Sequence, residues 1–261
     1  MSEREKVLRY YQASGDHDLA AKLFDLAEMA IRNQKYKVSD FLDPYGYSIA
    51  ETVVAHSSQL SLLADGGDEG AERVKAAFIY EDFPGKVEFS LAALTINYDF
   101  RYYQLSHRDL LGALLALGLK RDVLGDIIAG GQGCQVIVDA NFAEYIIQNL
   151  SKVGAAPVSV THISLTDLAP REEKIKEIKT TVSSLRLDVV AAAGFGTSRT
   201  KMANEIELEK VKVNWKNAKS SSQPIKNGDI ISFRGRGRVE VCEILGNTKK
   251  GRISIYLKRY L

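Results

Sequence analysis

Between Lys86 and Leu168 the hydrophobic pattern switches period repeatedly, and this succession limits the fold more than any other feature of the chain. KVEFSLAALTINYD alternates as a strand does, and SHRDLLGALLALGL repeats as a helix does, its start marked by Ser106 with Asp109 three residues on. DVLGDIIAG and CQVIVDA are strand-like and joined by the turn GGQG. NFAEYIIQNLSKVG reads as a helix capped by Asn141, with Glu144 three residues on and Gly154 closing it, and APVSVTHISL reads as a last strand. The order β-α-β-β-α-β is the split, ferredoxin-like arrangement. RNA-binding modules, enzymes and metal carriers all use it, so it limits architecture rather than activity.

Upstream, residues 3–13 and 16–34 read as two helices. Leu19, Leu23, Leu26, Ala27 and Ala30 fall on one face of the second, and Asp16 is placed to cap it after Gly15. FLDPYGYSIAETVVAH reads as a Pro-Tyr-Gly turn followed by a strand. An apolar run at Val74–Tyr80 precedes a Pro-Gly turn, and a first α/β domain is expected over residues 1–84. The ferredoxin-like (RRM-like) domain then occupies 85–169. PREEKIKEIKTTVSS fits a charged connector over 170–182, ambiguous between helix and strand, and a last domain runs over 183–261. The fold class is α+β.

Charge divides the chain at the same place. Residues 183–261 hold 16 Lys+Arg against 7 Asp+Glu, whereas residues 1–182 hold 19 against 26. An acidic body with a basic end suggests nucleic-acid binding once a motif accompanies it. The two cysteines, Cys134 and Cys242, have neither disulfide-framework nor metal-ligand spacing. MSEREKVLRYYQ is charged within its first six residues and no apolar run approaches the ~20 residues of a bilayer span, so a cytoplasmic chain is expected. The four histidines are scattered and the acids form no spaced pair. No metal, cofactor or catalytic residue is expected.

In the basic end, SSLRLDVVAAAGF reads as a short helix stopped by Gly194, and Ser198 can cap a second helix, RTKMANEIELEK, after the turn GFGT. VKVNW, GDIISFRG, RVEVCEIL and RISIYLKRYL follow as strands. A helix start with unpaired N–H groups and added cations is suited to a phosphate. Arg199 adds planar, multi-donor recognition there. RGRGR, Arg234–Arg238, reads as a tight turn between strands with its arginines pointing outward.

The run RLDVV…GF..SR…EKVKVN…IKNGDIISFRGRGR, from about Ser183 to Arg238, resembles the S4 RNA-binding domain. That resemblance implies RNA carried on the two helices and the adjoining strand loop: Arg186 on the first helix, Ser198, Arg199 and Lys201 at the second helix start, and Lys212, Asn214 and Lys216 on or beside the next strand. Arg234, Arg236 and Arg238 join them as phosphate contacts. Where S4 domains usually carry Val-Asn-Gly, this chain has Val213-Asn214-Trp215. The tryptophan replaces a turn glycine and is either a half-buried core residue or a base-stacking surface.

Other resemblances are local. Leu185-Arg186-Leu187-Asp188 is similar to the aspartate motif of pseudouridine synthases but lies inside the S4 helix. GFGTSRTK lacks the Gly-Lys-Ser/Thr of a phosphate loop. His107-Arg108-Asp109 has Leu114 where a kinase needs asparagine. Gly130-Gly131-Gln132 is similar to the release-factor tripeptide, yet suits a hairpin turn.

With LSHRDLLGALLALGLKRDVLGDI ahead of a C-terminal S4 motif, the whole chain resembles the YlmH/RqcP family of S4-domain proteins from Gram-positive bacteria and relatives. The resemblance implies an RNA-binding factor, not an enzyme. It would bind rRNA and tRNA on the large ribosomal subunit during quality control of stalled chains extended with alanine tails, together with other quality-control factors. An RNA-modifying enzyme with its centre in residues 1–170, or a cell-division scaffold, are the alternative readings.

Overall fold

The computed structural model describes residues 3–12, 15–130, 133–170 and 175–260. The chain divides into two compact units, Met1–Arg171 and Glu172–Leu261. In the first, α1 (Glu3–Gln12) and α2 (His17–Asn33) precede β1 (Tyr36–Leu42), α3 (Pro44–Ala55), β2 (Leu60–Asp65) and β3 (Val74–Tyr80). The strands form an antiparallel sheet in the order β1-β3-β2. Leu23, Ala30, Ile49 and Phe78 are buried together between helices and sheet.

Residues 44–55 are a helix, not the expected strand. Asp43 sits in extended conformation and accepts the N–H of Gly46 at 2.8 Å, while Pro44 opens the first turn. Proline there loses no helical hydrogen bond and brings a helical φ, which outweighs the β-branched residues that follow. Asp16 precedes α2 without a side-chain cap bond; its carboxylate instead accepts the Tyr45 hydroxyl at 2.6 Å.

The same unit continues with β4 (Leu91–Asn97), α4 (His107–Ala116), β5 (Leu124–Gly130), β6 (Gly133–Asp139), α5 (Ala143–Asn149), the short pair β7 (Lys152–Val153) and β8 (Ala156–Pro157), and β9 (Ser159–Ile163). The sheet order β5-β6-β4-β9, all antiparallel, is that of the ferredoxin-like fold. Ser106 and Asp109 form the expected reciprocal capping box on α4. The start of α5 differs: Asp139, not Asn141, caps a short 3-10 turn by accepting the Asn141 N–H at 2.9 Å. Gly154 closes the β7–β8 hairpin rather than the helix. Gly130 of β5 pairs with Gly133 of β6; Gly131 and Gln132, on which the expected turn falls, lie outside the described residues.

One face of this second sheet packs on α4 and α5 through Leu94, Leu110, Leu114, Val136 and Ile146. The other is covered by the N-terminal part of the unit. Lys75, its side chain 4% exposed, reaches across to Asp139 at 2.6 Å and to the carbonyls of Phe89 and Ser90. The Arg73 guanidinium donates to the carbonyls of Phe41, Leu124 and Arg121, and buried Asp126 accepts the N–H groups of Glu72 and Arg73. A Cβ built on Gly125 would meet the Phe41 ring at 2.8 Å.

In the second unit, β10 (Ile175–Val182), α6 (Leu187–Phe195), α7 (Arg199–Glu207), β11 (Val211–Val213), β12 (Lys216–Asn217), β13 (Ile230–Phe233), β14 (Gly237–Asn247) and β15 (Ile253–Tyr260) follow in order. They form one antiparallel sheet in the order β10-β15-β14-β13-β11-β12. The expected connector is therefore a strand over residues 175–182, paired along its whole length with β15; residues 171–174 lie outside the described residues. α6 and α7 close one face over Leu187, Val190, Met202, Val239 and Leu257.

Candidate nucleic-acid interface

Arg186 is the residue before α6, not on it. It has φ −82° and ψ 147°, and with Leu185 it ties the helix start to the 221–225 loop: Leu187 N–H donates to Gln223 O, Asp188 N–H to Ser221 O and Ile225 N–H to Leu185 O. This backbone cap stands where the N-cap residue, Arg186, has no side-chain acceptor to offer.

The Asp188 carboxylate is 4% exposed and takes both arginines of the motif. Arg186 Nε donates to Oδ1 at 3.1 Å and Nη2 to Oδ2 at 3.0 Å; Arg199 Nε donates to Oδ2 at 2.9 Å. Burial pushes the Asp188 carboxyl up, but the arginine hydrogen bonds outweigh it and hold the carboxyl below the usual carboxylate range. The two arginine side chains are 38% and 57% exposed. Bridged by one carboxylate, they are held in a fixed relation before any ligand arrives. Asp188 is thus a positioning residue that sequence reasoning missed. The available signal was the Arg-x-Asp spacing at a helix start beside a Ser-Arg helix start.

The corner between the helices is set by two glycines with different roles. Gly194, expected to stop α6, lies within it and packs so closely on β14 that a Cβ would meet Val239 Cγ1 at 2.8 Å. The stop is Gly196, in the left-handed region at φ 64°. Ser198 then caps α7 as expected, its Oγ accepting the Lys201 N–H at 3.2 Å, which leaves Arg199 and Lys201 exposed on the first turn.

The Arg234-Gly235-Arg236 turn joins β13 to β14, with Phe233 paired to Gly237, and both arginines are exposed. Arg236 lies 5.7 Å over the Phe233 ring, Phe233 meets Phe195 edge to face at 5.4 Å, and Arg259 lies 5.4 Å over Phe195. Because Phe195 is the last residue of α6, this ladder sets the turn beside the α6–α7 corner. Arg234 N–H also donates to Lys210 O, just past α7.

Other expected site residues lie apart from that corner. Val211 and Val213 are buried and Lys212 between them is exposed; Lys212 pairs with Ser232, and Ser232 with Arg238. Val239, next to Arg238, faces α6, so Lys212 and Arg238 belong to the opposite face of the sheet. Arg238 stacks there over Tyr260 at 4.6 Å. Asn214 is engaged internally at both ends of its amide, with Asp229 Oδ1 and the Ile230 N–H, each at 2.9 Å. Asn214 (φ 50°) and Trp215 (φ 63°) form the two-residue turn between β11 and β12, so the tryptophan does occupy a position that favours glycine. Trp215 is half-buried, and Lys216 is exposed beside it.

Among the described residues, no group of three or more His, Cys, Asp or Glu is placed to hold a metal ion, and no helix is long and apolar enough to cross a membrane. A cavity of about 180 Å³ in the first unit is lined by Lys22, Asp40, Asp43, Arg73 and Asp122, among others. Lys22 is paired with Asp40 and Asp43 caps α3, so its charges serve the fold.

Residues 84–167 match the family model described as "Putative RNA-binding domain in YlmH", and residues 185–231 match the S4 domain. A solved structure, cell division protein ylmH from Streptococcus pneumoniae, is similar in fold with a TM-score of 0.52 at 20% identity, over 60% of this chain and 95% of that one. Ribosome-associated protein quality control protein P2 of Bacillus subtilis (strain 168) is 36% identical over 227 residues, 86% of this chain and 88% of that protein. With that identity along most of both chains, and both domain types in the same chain, the protein belongs to the YlmH family of S4-domain proteins.

Proposed function

We propose that this chain is a ribosome-associated RNA-binding factor of nascent-chain quality control. It would bind rRNA and tRNA on the large subunit while stalled chains are extended with alanine. The observation that carries the RNA-binding part is the Asp188 bridge, which fixes Arg186 and Arg199 side by side next to the Ser198-capped start of α7. The name of the B. subtilis relative supports the ribosomal setting. RNA helices are recognised mainly through backbone, minor groove and 2′-hydroxyls, so a rigid corner of a few cations suffices. Arg186, Arg199, Lys201, Arg234 and Arg236 supply phosphate contacts on this reading, and Lys212, Lys216 and Arg238 act from other parts of the sheet. The role is binding rather than catalysis: Asp188, which the pseudouridine-synthase likeness would make a nucleophile, is buried and already holds two arginines.

The test is RNA affinity as a function of salt. If about four to six phosphates are neutralised, affinity falls steeply with salt, and replacing one contacting arginine lowers the log–log slope by about 1. Arg199→Glu is expected to weaken binding more than Arg199→Ala. Equal, wild-type affinity for both variants would refute the assignment.

A further inference from the structure

The first unit carries a patch that neither the S4 corner nor the core accounts for. The loop between β4 and α4 reads Tyr98-Asp99-Phe100-Arg101-Tyr102-Tyr103. Phe100 is 52% exposed and Tyr102 78%, whereas Tyr98 and Tyr103 are half-buried and anchor the loop. Asp99 organises it from within. Its Oδ1 accepts the backbone N–H and Nε of Arg101, each at 3.0 Å, its Oδ2 accepts Arg101 Nη2 at 2.7 Å, and its carbonyl accepts the N–H groups of Tyr102 and Tyr103. Arg101 also lies over the Tyr102 ring at 5.7 Å. Two large aromatic faces are thus held out to solvent on a turn locked by its own hydrogen bonds, with exposed Arg108 just beyond it on the first turn of α4.

The usual place for bases on a fold of this topology is the open face of the four-stranded sheet, with aromatics on its two central strands. That face is closed here. On β4 and β6 it carries Ala93, Thr95, Gln135 and Ile137, none aromatic, with Ala93 and Ile137 buried. Phe41 and the 66–73 loop cover it: a Cβ on Gly67 would meet Ile137 at 3.2 Å, and the Gln135 amide oxygen accepts the Ala169 N–H at 2.7 Å. The domain that matches an RNA-binding family model therefore has no sheet platform to offer, and its exposed aromatics lie on the adjoining loop.

We infer that the 98–103 loop is a base-stacking site for unpaired RNA, with Phe100 and Tyr102 as the stacking faces and Arg101 as a positioning residue. This rests on the reading of the chain as an RNA-binding protein, but it concerns a second contact of different chemistry from the S4 corner. The corner binds phosphates and is indifferent to bases. The loop binds bases and is nearly insensitive to salt, since its arginine is already paired with Asp99.

The test uses the full chain and two probes, a 12-mer oligouridylate and the same backbone without bases. Wild type is compared with Phe100→Ala/Tyr102→Ala, with Tyr102→Phe, and with Arg186→Glu/Arg199→Glu. The expected result is that wild type prefers the base-bearing oligomer by at least about fivefold, as one stacked base supplies. The loop double variant should lose the preference but keep its salt slope, Tyr102→Phe should retain the preference, and the S4 variant should keep it at lower overall affinity. The proposal is overturned if the loop double variant keeps the preference, as it would if the loop served a protein partner. It is equally overturned if the S4 variant alone abolishes the preference, which would place base recognition at the S4 corner. Failure of the S4 reading is separate, appearing as wild-type affinity and salt slope in the Arg186→Glu/Arg199→Glu protein.

Discussion

At the scale of single residues, buried charge serves two purposes in this chain. Lys75 and Asp139 join the two halves of the first unit; Asp188 presents cations at the surface of the second. Breaking the first pair leaves a charge buried without its partner, so Lys75→Ala is expected to cost about 3–5 kcal/mol in urea unfolding of the first unit. Asp188→Asn leaves two part-exposed guanidiniums that water can reach, so its cost is smaller, about 2 kcal/mol from weakened charged hydrogen bonds. Trp215, the single tryptophan, reports that unfolding in the second unit. The pH dependence follows from Asp188 titrating lower in the folded protein than in the unfolded chain. As pH falls, the unfolded chain takes up the proton first. The stabilisation is therefore complete above the ordinary aspartate range of about 4 and is lost as pH drops through the folded value. Acid unfolding of the second unit should be shallower in Asp188→Asn than in wild type; identical profiles would show that the bridge contributes nothing.

At the scale of elements, most of the order was legible where periodicity was long and caps were local. α2, α4, the strands of the ferredoxin-like sheet and the Ser198-capped α7 are examples. What was not legible depended on distant partners. Residues 44–55 carry β-branched side chains, but Asp43 and Pro44 specify a helix start that the turn reading absorbed. Residues 175–182 look like a charged connector because an edge strand shows its pattern only once β15 is beside it. Gly194 resembles a helix stop, yet its reason is the approach of α6 to Val239, more than forty residues away. Gly194→Ala should therefore destabilise the second unit by about 1–3 kcal/mol despite alanine's better helix propensity, because overpacking outweighs propensity. An increase in thermal stability would contradict that packing. The cations of the candidate site were likewise readable as a set, but not their grouping. Sequence could not show that Arg186 and Arg199 share Asp188, that Arg236 reaches the corner through Phe233 and Phe195, or that Arg238 sits on the sheet's other face.

At the scale of the whole molecule, charge and topology divide the work. The second unit is net positive and holds the preset arginine pair; the first is net acidic, with its sheet face closed and an aromatic loop left outside. Affinity through the S4 corner should be strongly salt-dependent, whereas any base preference should persist as salt rises. The most direct measurement of the central claim is sedimentation of lysate from cells with stalled translation, probing for wild type and for Arg186→Glu/Arg199→Glu. The account predicts wild type with large ribosomal subunits and the variant, still folded by its tryptophan emission, at the top of the gradient. Wild type at the top, or both proteins together with the subunits, would contradict it.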